Sequence, residues 1–560
     1  LDVSECFNKV TAIGADCFSV CTGLTELDLH GLSGISTIPA NFLDGCTSLA
    51  KLDLYGLNKV TAIPDSFLDT CTGLTELDLH GLSSLTAIPD SFLNECTLLE
   101  KVDLSGWNSL QAIPTDFLND LINLTELNLN GLTSVETIDD NFLSGCTSLE
   151  VLDLNDLINV TTLSDNFLNG LTKLTDLEIT NLTKITTIKD SFLSGCTSLE
   201  RLSLDGWTNV ESIGENFLQN CTGLEILIIA GWTKITAIPD NFLSGCEKLE
   251  ALDLGGWTNV ETIGENFLSG CINLALLVFI NLTKITEVPD NFLKGCESLV
   301  YANLNGWENV DTIGNNFFSG CQLLETLELE GWTKIREVKD NFLEDCEIME
   351  SIDLSGFASL ETIGAGFLKG CSGLTDEGLD LSPLVNVTEI GDYFLSECTG
   401  LTELDLTPQP ESQKGLLSLT TIGENCLTGC SNLETLHLDN LTGLTEIPAF
   451  FCKDLTSLTE LTCEGLLVTE IKDNFLDGCT GLINLDLSAL SKVTTLGEKF
   501  LTNCSSLETL DMSGWAELTA FPEDFLKDET NVALKELTLS GLDAITEIPD
   551  SFLTGCINLE

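Results

Sequence analysis

The chain has 560 residues, 43% of them hydrophobic, and sets 88 acidic against 23 basic residues for a formal charge of −65. That apolar content excludes a disordered acidic chain, and that charge excludes attraction to nucleic-acid phosphates and disfavours anionic membranes. No apolar run reaches the roughly 18 residues of a membrane span, the longest being the strand-sized Ile226–Ala230 and Leu276–Ile280.

The chain opens at Leu1 with no charged segment followed by an apolar one. A removed targeting segment and an excerpt of a longer chain are the two readings. A repeat then begins. Cys21, Cys46, Cys71 and Cys96 lie 25 apart; after Cys146 and Cys196 the register runs from Cys221 to Cys371, with Leu121, Leu171 and later Leu455 in the same slot. One unit reads CTGLTELDLHGLSSLTAIPDSFLNE from Cys71. Leu74, Leu77 and Leu79 follow L-x-x-L-x-L, and the alternation Leu77-x-Leu79 predicts a short strand with one face inward. Leu82, Leu85 and Ile88 turn the chain around the core, and Pro89, or Gly214, Gly264 and Gly314 at that place, ends any strand. Asp90, Ser91, Phe92 and Leu93 read as the start of a helical or 3₁₀ turn capped by Asp or Ser. One unit cannot bury its apolar side alone, so stacked units are required, with a parallel sheet on the concave face.

The L-x-x-L-x-L strand, the I-G or I-P step and the closing F-x-x-x-C, as in Ile213-Gly214, Phe217 and Cys221, resemble the leucine-rich-repeat family, and within it the BspA-like class of microbial surfaces. The 25-residue turn and the Phe-Leu pair depart from that class's usual unit. The fold expected is a repeat solenoid of the α/β leucine-rich-repeat type. It has a parallel β-sheet on the concave face, short helical or 3₁₀ turns on the convex face, and about 22 turns of 25 residues. One continuous solenoid over 1–560 is expected, with irregular repeats and loops at 376–415 and 528–533. Cys371 to Cys398 spans 27 residues, and Cys398 to Cys430 spans 32, with Thr407-Pro408-Gln409-Pro410 in the extra loop. The resemblance implies an extracellular or cell-surface interaction protein, often adhesive.

The chemistry on offer is sparse. Cysteines 25 apart lack the close pairs of zinc sites, and a slot that accepts Leu is a core slot, so a ladder of free buried thiols is expected. Cys17 and Cys426 replace the repeating Phe, Cys452 and Cys463 take Leu positions, and a Cys6–Cys17 bridge is the alternative to plain packing. His30 and His80 share a column two turns, about 10 Å, apart, too far to hold one ion. No catalytic or nucleotide motif occurs, so no catalytic, cofactor-binding or metal residue is assigned and no enzyme is expected. Trp107, Trp207, Trp232, Trp257, Trp307, Trp332 and Trp515 share the Leu82 slot, which core packing explains; a sugar-stacking strip is the alternative. Eight glycosylation sequons, at Asn123, Asn159, Asn181, Asn220, Asn281, Asn386, Asn440 and Asn503, permit modification without arguing for it.

The residues flanking the second Leu of each strand face solvent. The column before it opens Glu26, Lys51, Glu76, Lys101, Glu126, whose alternating signs stabilise neighbouring rungs. The column after it opens Asp28, Asp53, Asp78, Asp103, Asn128, Asp153; bonding to local backbone is the expected role, and calcium the alternative. In the middle of the chain Ile226, Ile228, Leu276 and Val278 take these outward positions, and Ile280 and Tyr301 extend the set. Apolar side chains there have no structural need and mark a partner-binding surface. The leading reading is therefore a non-enzymatic surface protein binding a protein or glycan partner through its concave face. The alternatives are a subunit self-associating end to end into a filament or surface layer, since both termini fall within a strand, and an intracellular scaffold.

Overall fold

The computed structural model describes residues 1–2, 9–30, 32–65, 67–229, 231–527 and 532–560. The chain forms two compact units, Leu1–Leu274 and Ala275–Glu560. Each is a parallel β-solenoid. In the first unit the strands Glu26–Asp28, Lys51–Asp53, Glu76–Asp78, Lys101–Asp103 and Glu126–Asn128 pair in parallel, residue against residue 25 further on. The second unit repeats this in Leu276–Val278, Tyr301–Asn303 and Thr326–Glu328. In Glu26–Asp28 the middle Leu is buried and its neighbours face out, as the alternation in L-x-L requires.

A second ladder was not legible as strand. The Leu82-to-Ile88 stretch of later units holds two-residue strands, such as Thr162–Leu163, Thr187–Ile188 and Ser212–Ile213, again parallel. In the second unit the pairs Thr312–Ile313, Glu337–Val338, Thr362–Ile363 and Glu389–Ile390 continue it.

The turns expected to be helical are not. Among the described residues the only helix is the 3₁₀ turn Ser355–Phe357. The reason is an alternation of handedness. Asn216, Leu218 and Asn220 have φ of 59°, 53° and 58°. Gln219 N–H bonds the Asn216 carbonyl at 3.2 Å and Cys221 N–H the Leu218 carbonyl at 3.3 Å, so two four-residue turns follow each other, each with positive φ at its third position. A helix needs every residue right-handed, and Asn is the non-glycine residue that best tolerates the left-handed well. Leu218 is strained there by about 1–2 kcal/mol, but Phe217, Leu218 and Cys221 are all fully buried. The freed backbone serves both neighbouring turns: Leu218 N–H bonds Phe192 O and Asn220 N–H bonds Ser244 O.

The core is a set of columns. Phe142, Phe167, Phe192, Phe217 and Phe242 stack at 5.1–5.9 Å with nearly parallel rings. All seven tryptophans are buried, and the indole N–H groups of Trp107, Trp207 and Trp515 donate to the carbonyl 28 residues earlier; none forms a solvent-facing sugar strip. Cys46 and the later ladder cysteines up to Cys504 are buried, and their thiols donate to backbone carbonyls, Cys221 to Leu193 at 3.1 Å. Burial pushes the Cys221 and Cys271 thiols up to about 12. Cys452 and Cys463 are core. The Cys6–Cys17 pairing lies outside the described residues.

A two-turn period overlies the single turn. Asn159 donates from Nδ2 to Thr133 O at 2.8 Å and accepts from Lys184 Nζ at 2.6 Å; Asn209 does the same with Thr183 and Lys234. Gly214 follows a turn carrying Lys189-Asp190, and a Cβ there would meet the Asp190 nitrogen at 2.5 Å. The alternation of I-G with I-P or I-K is thus a steric one, a bare backbone against a bulky preceding turn.

Candidate functional site

The outward columns of the strand ladder behave at the start of the first unit as charge pattern dictates. Lys51 pairs with Glu76 at 2.8 Å and Lys101 with Glu126 at 2.6 Å. The Asp column turns to its own backbone: Asp28, Asp53, Asp78 and Asp103 each accept the N–H two residues on, at 2.8–2.9 Å. Burial pushes the Asp78 carboxyl up, and the charges of Asp53 and Asp103 push the same way, against the His80 N–H that bonds it. These columns line a groove of about 920 Å³ running from Leu1 to Val151. Among the described residues no group of three or more His, Cys, Asp or Glu is arranged to hold a metal ion.

Beside the groove, His30 and His80 do not stand apart. Tyr55 lies between them, stacked on His30 at 4.6 Å and tilted against His80 at 5.0 Å. Ser105 Oγ lies 2.5 Å from His80 Nδ1 and donates to Asp103 Oδ1 at 2.6 Å. Serine, imidazole and carboxylate are neighbours here, but the serine bridges the other two. Asp103 does not occupy the far imidazole nitrogen, so the cluster orients His80 rather than activating Ser105.

The apolar set falls on both units. In the first, Ile226 and Ile228 are 36% and 41% exposed on either side of buried Leu227. Their strand pairs with Arg201–Ser203, so Ile226 sits beside Arg201. In the second, Leu276 is 44% exposed, while Val278, Ile280 and Tyr301 are half-buried. Leu276 pairs with Tyr301, and Val278 with Asn303. Tyr301 is held: its hydroxyl donates to Glu328 Oε1 at 2.8 Å, while Asn303 and Asn305 donate to Glu328 Oε2 at 2.7 and 2.8 Å. The bond to Glu328 pushes the phenol up from its usual value, against the donation from Asn303. The ring is therefore fixed by a polar clamp that sequence reading did not find; its signal was three polar residues, Asn303, Asn305 and Glu328, where hydrophobic neighbours would have served. Val151, 56% exposed in the same outward column as Glu26, was also missed, because it stands alone between Glu126 and Asp176.

Parallel ladders of L-x-x-L-x-L strands around a Phe, Trp and Cys core define a leucine-rich-repeat solenoid. The profile of the BspA-type leucine-rich-repeat region matches residues 3–125, 111–250, 161–300, 286–415 and 420–560, and the chain belongs to that family. No curated protein matches it. Among solved structures, a leucine-rich repeat protein from Bacteroides ovatus is 19% identical, covering 77% of this chain and 82% of its own, with a TM-score of 0.33. A leucine rich cell surface protein from Faecalibacterium prausnitzii is 14% identical, covering 70% and 83%, with a TM-score of 0.30. The pneumococcal vaccine antigen PcpA is 14% identical, covering 94% and 92%, with a TM-score of 0.25. Among the described residues no helix is long and apolar enough to cross a membrane.

Proposed function

We propose that this chain is a non-enzymatic surface protein that holds a protein partner on the outward face of its strand ladders. One observation carries the reading: Ile226 and Ile228 fill both outward positions of one strand at 36% and 41% exposure, where the ladder at the start of the unit carries charge. Solvent rewards charge at such positions, and an apolar pair there gains only when something covers it. In the second unit Leu276 and Val278, beside the clamped Tyr301, offer the same chemistry on a pre-set ring. Fixing Tyr301 beforehand removes rotamer entropy that binding would otherwise have to supply. In the second unit Glu328, which holds Tyr301, favours a basic residue on the partner, whereas Arg201 beside Ile226 in the first favours an acidic one. The extracellular setting rests on the BspA-type family resemblance.

The test is binding to an immobilised panel of extracellular-matrix and cell-surface proteins. Ile228→Asp in the first unit and, separately, Val278→Asp in the second should each keep the circular-dichroism spectrum, and each should weaken capture of a partner held by its own unit by roughly tenfold or more. Undiminished capture by both variants would place the partner elsewhere.

A further inference from the structure

The 25-residue spacing is broken twice in succession, by the 27-residue unit ending at Cys398 and the 32-residue unit ending at Cys430. In a repeat protein such additions are not needed to close the core. The structure brings both to one place: Asp376 and Glu377 from the first, and Thr407, Gln409 and Lys414 from the second, line one cleft of about 370 Å³. That is within the size range of ligand pockets, about 300–1,000 Å³.

Its wall is a small hairpin. Gln409 and Lys414 exchange backbone bonds at 2.9 and 3.3 Å, and Gly415 N–H anchors the foot of the hairpin to Ser382 O at 2.9 Å. The three-residue ladder is interrupted here, as it also is after Asp176–Glu178 and after Ile226–Ile228. Residues 351–353 and 378–380 keep only the single bridge Ile352↔Leu379, which leaves Glu403–Asp405 as the edge of a sheet whose other strands are Thr435–His437 and Glu460–Thr462. Where regular turns accept two N–H groups on a backbone carbonyl, Asp376 Oδ1 accepts those of Thr402 and Glu403 at 2.7 and 3.1 Å. The floor is apolar, from Leu381, Leu404 and Leu416, all buried. The rim is acidic, with Glu377 and Glu403 exposed and, among the described residues, in no ion pair, while Lys414 in the lining lies near Asp380.

We propose that this cleft is a docking site for an extended peptide segment bearing lysine or arginine at alternate positions. Apart from the Glu403 N–H, which Asp376 already holds, the sheet edge offers main-chain pairing, the leucine floor takes apolar side chains, and Glu377 and Glu403 take the cations. Binding of a fluorescent octapeptide of alternating Lys and Val to the full chain is the test, read by anisotropy. The octapeptide should bind, its Glu–Val counterpart should not, and a Lys–Val peptide N-methylated at every second residue should bind much more weakly. Glu377→Gln with Glu403→Gln should weaken binding roughly three- to tenfold, whereas Glu136→Gln with Glu200→Gln, which removes the same charge outside the cleft, should leave it unchanged. Equal loss in both doubles, no loss in the cleft double, equal binding of the N-methylated peptide, or no binding of the Lys–Val peptide each overturns the proposal.

Discussion

The regular stretch from Thr137 to Ile263 and the stretch 376–415 follow the same rules to different ends. In the first, nearly every side chain has a counterpart 25 or 50 residues away that gives its reason: Phe217 stacks on Phe192 and Phe242, Asn209 ties Thr183 to Lys234, and Gly214 clears Asp190. In the second, the extra residues have no counterparts and a carboxylate replaces a carbonyl at Asp376. Periodic residues hold the solenoid, and the residues that break the period are free for contact.

The comparison is tested most severely in the core. Phe217→Ala should cost about 3–5 kcal/mol, because its ring lies between two others that cannot close the gap. Chemical denaturation with a far-ultraviolet readout would show it, and a loss under 1 kcal/mol would mean that the Phe column is not continuous support. Gly214→Ala should cost about 1–3 kcal/mol from overpacking against the preceding turn, whereas Gly14→Ala, with open space around it, should not show that clash.

The thiol ladder gives a pH signature. Cys221 and Cys271 titrate near 12 when folded against an ordinary value of 9.0, burial being the main cause. The folded chain therefore keeps protons that the unfolded chain releases. Stability is whole below about pH 9 and falls as pH rises toward 12. Alkaline denaturation should begin in that window and shift upward in Cys221→Ala with Cys271→Ala; an unshifted midpoint would contradict it.

The irregular stretch should respond less, and at the opposite end of the scale. Burial raises the Asp376 carboxyl, but the bonds from Thr402 Oγ1 and from the Glu403 and Thr402 N–H groups outweigh it and hold the group below its usual value. Its contribution is present above about pH 4 and fades as pH falls through the lowered value. Asp376→Ala should cost about 1–2 kcal/mol at neutral pH, in the range of a lost capping carboxylate. Its destabilisation should shrink in acid, and a cost that is the same at pH 3 would sink the assignment.

Much of this was legible beforehand because periodicity is a one-dimensional signal. The Cys and Phe columns, the Glu–Lys ladder and the outward Ile226 and Ile228 follow from spacing alone. The turns misled because Asp, Ser and Asn before Phe-Leu suit both a helix cap and a left-handed well, and only Asn216, Leu218 and Asn220 read together choose between them. The Glu328 clamp on Tyr301 was hidden because Tyr301 and Asn305 reach Glu328 across 27 and 23 residues, although Asn303 is its 25-residue counterpart, and the convergence of the two insertions because neither keeps the beat.

Equilibrium denaturation of Ile226→Thr with Ile228→Thr, beside Phe217→Ala, tests the division between periodic and aperiodic residues most directly. The double variant should lie within about 0.5 kcal/mol of the parent chain, as surface substitutions do, while Phe217→Ala falls by several. A double variant that loses as much as Phe217→Ala would show that Ile226 and Ile228 serve the fold, and would contradict their assignment to a partner.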